Sequence, residues 1–124
     1  MKKIVAMLCL LLAACSAEPL KFAPGTYEII NFPQKNGLTI NFSEDGKVNG
    51  KVVNYYMGNY ELKENNGISL RQIGATMMMG PENEMKAEQE LLQQLEKIKS
   101  YEVQEKYLVL KDSDGLQMIL KPLK

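Results

Sequence analysis

Apolar and polar side chains alternate along most of this chain in short runs separated by glycine, asparagine and aspartate. Tyr27 and Ile29 oppose Glu28 in a first run over residues 25–31, and Leu38, Ile40 and Phe42 share one face of a second. A period of two marks strands that turn one face to a core. Further runs of this kind predict strands over residues 47–54, 57–63, 68–73, 101–104, 107–111 and 116–121. Asn36-Gly37, Glu44-Asp45-Gly46, Glu64-Asn65-Asn66-Gly67 and Asp112-Ser113-Asp114-Gly115 supply tight turns between them.

The period changes once. Met85, Glu88, Leu91, Leu92, Leu95 and Ile98 recur at helical spacing over residues 82–98. Pro81 stands near the start, where a missing N–H is harmless. Glutamates crowd the first half and Lys97 and Lys99 the end, as the helix dipole favours. A lone helix after several strands has only the sheet to pack on. The expected fold is therefore mainly β with one α element: a curved antiparallel sheet of about eight strands, and one helix laid across it by its leucine stripe.

The densest patterned stretch is residues 46–60, GKVNGKVVNYYMGNY, in which Asn54, Tyr56, Gly58 and Tyr60 form an N-x-Y-x-G-x-Y string. A tight redirection of the chain over residues 55–58 is expected here. The Asn54 carboxamide, with two donors and two acceptor sites, would tie down backbone groups left outside the ladder. Gly58 would allow positive φ or the close approach of a tyrosine ring.

Composition narrows the function. Histidine and tryptophan are absent, which removes the commonest general base, the commonest zinc ligand and one stacking anchor. No nucleophile–base pair is visible, so hydrolysis is disfavoured and no enzymatic activity is expected. Basic and acidic residues balance at fifteen each without a basic block, which argues against a nucleic-acid partner.

The first residues carry a different signal. Lys2 and Lys3 precede an apolar run over residues 4–14, too short for the ~20 residues that a spanning helix needs. Residues 1–14 are expected to be a signal peptide. Leu12-Ala13-Ala14-Cys15 resembles a bacterial lipobox, which implies cleavage before Cys15 and lipid, palmitate included, on that cysteine. Ser16 in place of aspartate implies sorting to the outer membrane, facing the periplasm. Two or more acyl chains, at ~0.8 kcal/mol per buried CH₂, would hold the protein there permanently. Residues 15–23 are expected to be a tether and residues 24–124 the folded domain. Cys9 leaves with the leader, so stability must come from packing alone.

Taken together, these residues resemble the META domain, the HslJ-like family of small bacterial envelope proteins. Gly50, Asn54, Tyr56, Gly58 and Tyr60 match its first motif, and Thr76, Met78 and Pro81 its second. Tyr101 and Asp114-Gly115 fit its end. Val53 and Gly80 stand where that family often has cysteines, a paired departure. The resemblance implies a half-barrel with a crossing helix, carried by lipoproteins and linked to heat or antibiotic stress, without catalytic residues.

Three side-chain groups invite other chemistry. Met77, Met78 and Met79, with Met57 and Met85, could take Cu(I), but without histidine or cysteine the expected role is packing beneath the helix. Glu44, Asp45, Asp112, Ser113 and Asp114 lack calcium-loop spacing and are expected to be solvated turns. The helix glutamates are expected to face water. No cofactor or metal is therefore anticipated. The expected function is that of a lipid-anchored envelope protein acting through a protein partner. The alternative is a small-ligand module using a hollow between sheet and helix. Asn54 with its flanking tyrosines could line a ligand cleft, although an architectural corner is the expected role.

Overall fold

The computed structural model describes residues 21–123. The expected signal peptide and Cys15 lie outside the described residues. Eight antiparallel strands follow one another in space as in sequence: β1 (Gly25–Ile29), β2 (Thr39–Phe42), β3 (Lys47–Lys51), β4 (Tyr55–Lys63), β5 (Gly67–Ala75), β6 (Ile98–Gln104), β7 (Tyr107–Asp112) and β8 (Gln117–Pro122). Among the described residues the expected eight strands and one helix are present, and the sheet goes beyond a half-barrel. Pairing of Ile29 with Leu120 and of Tyr27 with Pro122 joins β1 to β8 and closes a barrel. One seam is thin. Between β5 and β6 the register holds only Gly67 opposite Ser100, and helix α1 (Glu82–Lys97) makes that connection.

Tight turns fit their residues. Asn65 and Asn66 both take positive φ at the centre of the turn between β4 and β5, where Gly67 N donates to the Glu64 carbonyl. Gly46 and Gly115 take positive φ in the β2–β3 and β7–β8 turns. Asp112 Oδ1 accepts from Asp114 N and Leu116 N, and Asp45 accepts from the Ser43 hydroxyl. Those carboxylates organise their own turns.

Inward-facing residues form one core. Ile40, Phe42, Val48, Tyr56, Ile68, Leu110 and Leu120 meet Ala87, Leu91 and Leu95 of α1 in a single cluster. Tyr56, Leu91 and Leu95, all fully buried, belong to this core between sheet and helix. Pro81 is the helix N-cap, and its carbonyl accepts from Glu84 N and Met85 N.

The barrel has two distinct ends. Helix α1 covers one, beside the β3–β4 corner. The other is closed by aromatic rings: Phe22 lies 5.2 Å from Phe42, 5.5 Å from Tyr60 and 5.6 Å from Tyr101. Tyr27 Oη donates to the Ala23 carbonyl. The folded body therefore includes Phe22, inside the stretch expected to be tether. An aromatic ring of this size gains more from a cluster than from water.

Candidate functional site

The N-x-Y-x-G-x-Y string runs along the inner side of the barrel wall. β4 places Tyr56, Gly58 and Tyr60 inward at a period of two, with Asn54 just before the strand. The chain redirects at residues 52–54 rather than 55–58, because Val52 N donates to the Asn54 carbonyl and closes the loop there. Tyr56 donates to the Thr39 carbonyl, and burial pushes its hydroxyl far above the usual phenol range. It is a neutral structural donor. Tyr60 donates to the Ser43 carbonyl, and burial followed by Asp45 and Glu44 raises its hydroxyl too.

Gly50 and Gly58, the two glycines of the first motif, have separate tasks, and neither uses positive φ. Gly50 sits opposite Tyr56 in the ladder, so the tyrosine ring lies over the gap that its missing side chain leaves. Gly58 sits at a bulge, where the β4–β5 register shifts and Gln72 takes positive φ. A Cβ there would lie 2.7 Å from Ile73 Cδ1 and 2.9 Å from the Arg71 carbonyl. The close neighbour of Gly58 is thus an isoleucine, and the tyrosine ring approaches Gly50.

Asn54 is a hub. Its Oδ1 accepts from Met78 N at 2.5 Å and from Thr76 Oγ1 at 3.0 Å. Its Nδ2 donates to Glu88 Oε2 at 2.8 Å and to the Met78 carbonyl at 3.4 Å. All four bonding capacities of the carboxamide are used. Thr76 Oγ1 also accepts from Tyr55 N, so both motifs of the sequence meet at one corner. Met78 takes part through its backbone alone.

Glu88 completes the hub. It is buried, and its Oε1 accepts from Asn54 N at 2.7 Å and Val53 N at 3.1 Å. This corrects the expectation that the helix glutamates all face water. A carboxylate accepting three N–H bonds satisfies donors that the corner leaves outside the ladder. The signal was present in the apolar stripe, since Glu88 stands three residues before Leu91 and seven before Leu95.

The methionine expectation is overturned as well. Met77 and Met79 are 95% and 91% exposed, so they do not pack beneath the helix. Two bonds hold the connector backbone at Met78 to Asn54, and this leaves the flanking side chains turned to water. They border an open hollow of about 550 Å³ together with Met85 and Lys86. Tyr55 and Met57, on the outer face of β4, are also more than half exposed.

The family model of the META domain matches residues 21–124. The chain belongs to the META domain family. Among solved structures this META domain resembles a protein from Burkholderia xenovorans, with a TM-score of 0.64 at 17% identity over 90% of this chain and 98% of that one. It also resembles a DUF4847 family protein from Bacteroides vulgatus, with a TM-score of 0.58 at 16% identity over 80% and 92%. These likenesses concern the fold. A comparison with curated proteins gives no match.

The paired departure from the family's cysteines has a geometric counterpart. A Cβ on Gly80 would lie 3.5 Å from Val53 Cβ, within the ~3.5–4.5 Å that a disulfide spans. Val53 Cγ1, 2.7 Å from that point, fills the gap. The double variant Val53→Cys/Gly80→Cys should therefore close a disulfide on air oxidation of the domain lacking residues 1–15. It should stabilise that domain by about 2–4 kcal/mol in chemical denaturation. Two thiols that stay titratable after oxidation would show that the positions do not meet.

Proposed function

We propose that this META domain is a lipid-anchored, non-catalytic protein of the cell envelope. Cys15 fixes it to the outer membrane on the periplasmic side, and it supports membrane integrity or stress and antibiotic tolerance through contact with another envelope protein. The observation that carries this reading is the exposure of Tyr55, Met57, Met77 and Met79 at the helix-covered end of the barrel. Exposed apolar side chains of this size are costly to leave in water, and flexible thioethers suit a protein partner.

The placement of the two ends supports the same reading. The chain between Cys15 and Lys21 reaches at most ~20 Å, so the Phe22 end stays close to an anchored lipid. Tyr60 lies at that end and Tyr55 toward the other, ~16 Å away along a strand rising ~3.3 Å per residue. The exposed methionines therefore point away from the membrane.

Carrying a photo-crosslinking side chain at position 77 in cells should yield a discrete protein adduct, and the same probe at Lys106 in the β6–β7 turn should not. Radioactive fatty acid should label the wild type and not Cys15→Ser. Equal adducts from both positions would end the docking reading, and equal labelling would end the anchor.

A further inference from the structure

Methionine is ordinarily one of the more buried residue types. Of the six methionines among the described residues, Met77, Met79, Met57 and Met78 are 95%, 91%, 57% and 50% exposed, and Met118 is 3% exposed. The thioethers thus comprise a surface group of four, the half-buried Met85 and the core residue Met118. The connector does not depend on its surface sulfurs for shape, because Met78 N and its carbonyl are held by the Asn54 carboxamide and Thr76 by Asn54 Oδ1.

We propose that Met77 and Met79 form a surface site for reversible oxidation by peroxide-class oxidants. The sulfur lone pair attacks one peroxide oxygen, an S–O bond forms, the O–O bond breaks, and water leaves. Sulfur loses two electrons and the peroxide is reduced. Susceptibility follows access, and the product is a polar sulfoxide in place of an apolar thioether. Lys86 and Gln89 border the same hollow, and their N–H groups are donors that a sulfoxide oxygen accepts far better than a thioether does. The change therefore turns an apolar surface into a polar one without touching the core. This inference stands on exposure and on the Asn54 clamp, and does not require the lipid anchor or a protein partner.

The test treats the folded domain lacking residues 1–15 with hydrogen peroxide and follows each methionine by peptide fragmentation mass spectrometry. Met77 and Met79 should gain oxygen at least about ten-fold faster than Met118, with the denaturation midpoint unchanged. Methionine sulfoxide reductases A and B together should then restore the original mass. Oxidation of Met118 at the rate of Met77, or loss of fold in step with the first oxidation, would overturn the site. Failure of the reductases to restore the mass would overturn its reversibility. Repeating the reaction on Met77→Leu/Met79→Leu should remove the fastest phase and leave the slower oxidation of the half-exposed Met57 and Met78. A fastest phase of undiminished amplitude would place the site elsewhere.

Discussion

Glu88→Leu should destabilise the domain by about 3–5 kcal/mol, because it leaves buried donors without an acceptor while keeping water out. Val53 N, Asn54 N and Asn54 Nδ2 all donate to this carboxylate. The strands cannot take over these donors, since residues 52–54 lie between β3 and β4. Rotating the Asn54 carboxamide gives no relief, because its Oδ1 is committed to Met78 N and Thr76 Oγ1. Glu88→Gln should cost less, about 1–2 kcal/mol. Its oxygen can keep the two backbone donors, and only one N–H faces another across the Asn54 contact. Chemical denaturation of the domain lacking residues 1–15 measures both. In combination with Asn54→Ala, the Glu88→Leu cost should be far from additive, as for residues in one bonding network. Equal midpoints for wild type and Glu88→Leu would mean that the corner is held by something else.

Gly50→Ala should cost about 3 kcal/mol through overpacking. The added methyl carbon would sit 2.5 Å from Tyr56 Cζ and 2.6 Å from the Thr39 carbonyl, with the Tyr56 hydroxyl closer still. None of these can retreat easily. Tyr56 is fully buried, and Thr39 belongs to the neighbouring strand β2. Gly58→Ala should cost a similar amount, since the Ile73 side chain can change rotamer but the Arg71 carbonyl, 2.9 Å from the added carbon, is backbone of the neighbouring strand. The discriminating variant is Gly50→Ala in a Tyr56→Leu background, where the shorter side chain makes room. There the glycine substitution should cost clearly less than in the wild type. The same cost in both backgrounds would exclude the ring contact as the cause.

Much of the site was legible in the chain because its parts obey local rules. Asn54, with a side chain that bonds in four directions, marked a corner, although the corner falls three to four residues earlier than the run of tyrosines suggests. The reason is that Tyr56, Gly58 and Tyr60 are spaced at two and so belong to a strand, with the turn complete before them. Glu88 was hidden by its company. Four other glutamates on the same helix are at least partly exposed, and only its place in the leucine stripe sets it apart. The methionines misled for the opposite reason: their chemistry suits a core, but their backbone is pinned with the sulfurs outward.

Alternation, turn residues and one helical period are properties of neighbours along the chain, and they determined the eight strands, the helix and most of their bounds. The META motifs belong to that level too. Closure of the barrel, the partner of Asn54 and the exposure of the methionine run join residues that are far apart in sequence. Ile29 finds Leu120, Asn54 finds Glu88, and Phe22 finds Tyr101 only once the sheet has curled. Such pairings depend on strand twist and on which side chains together fill the interior. No local pattern encodes them, so they were decided by the tertiary structure.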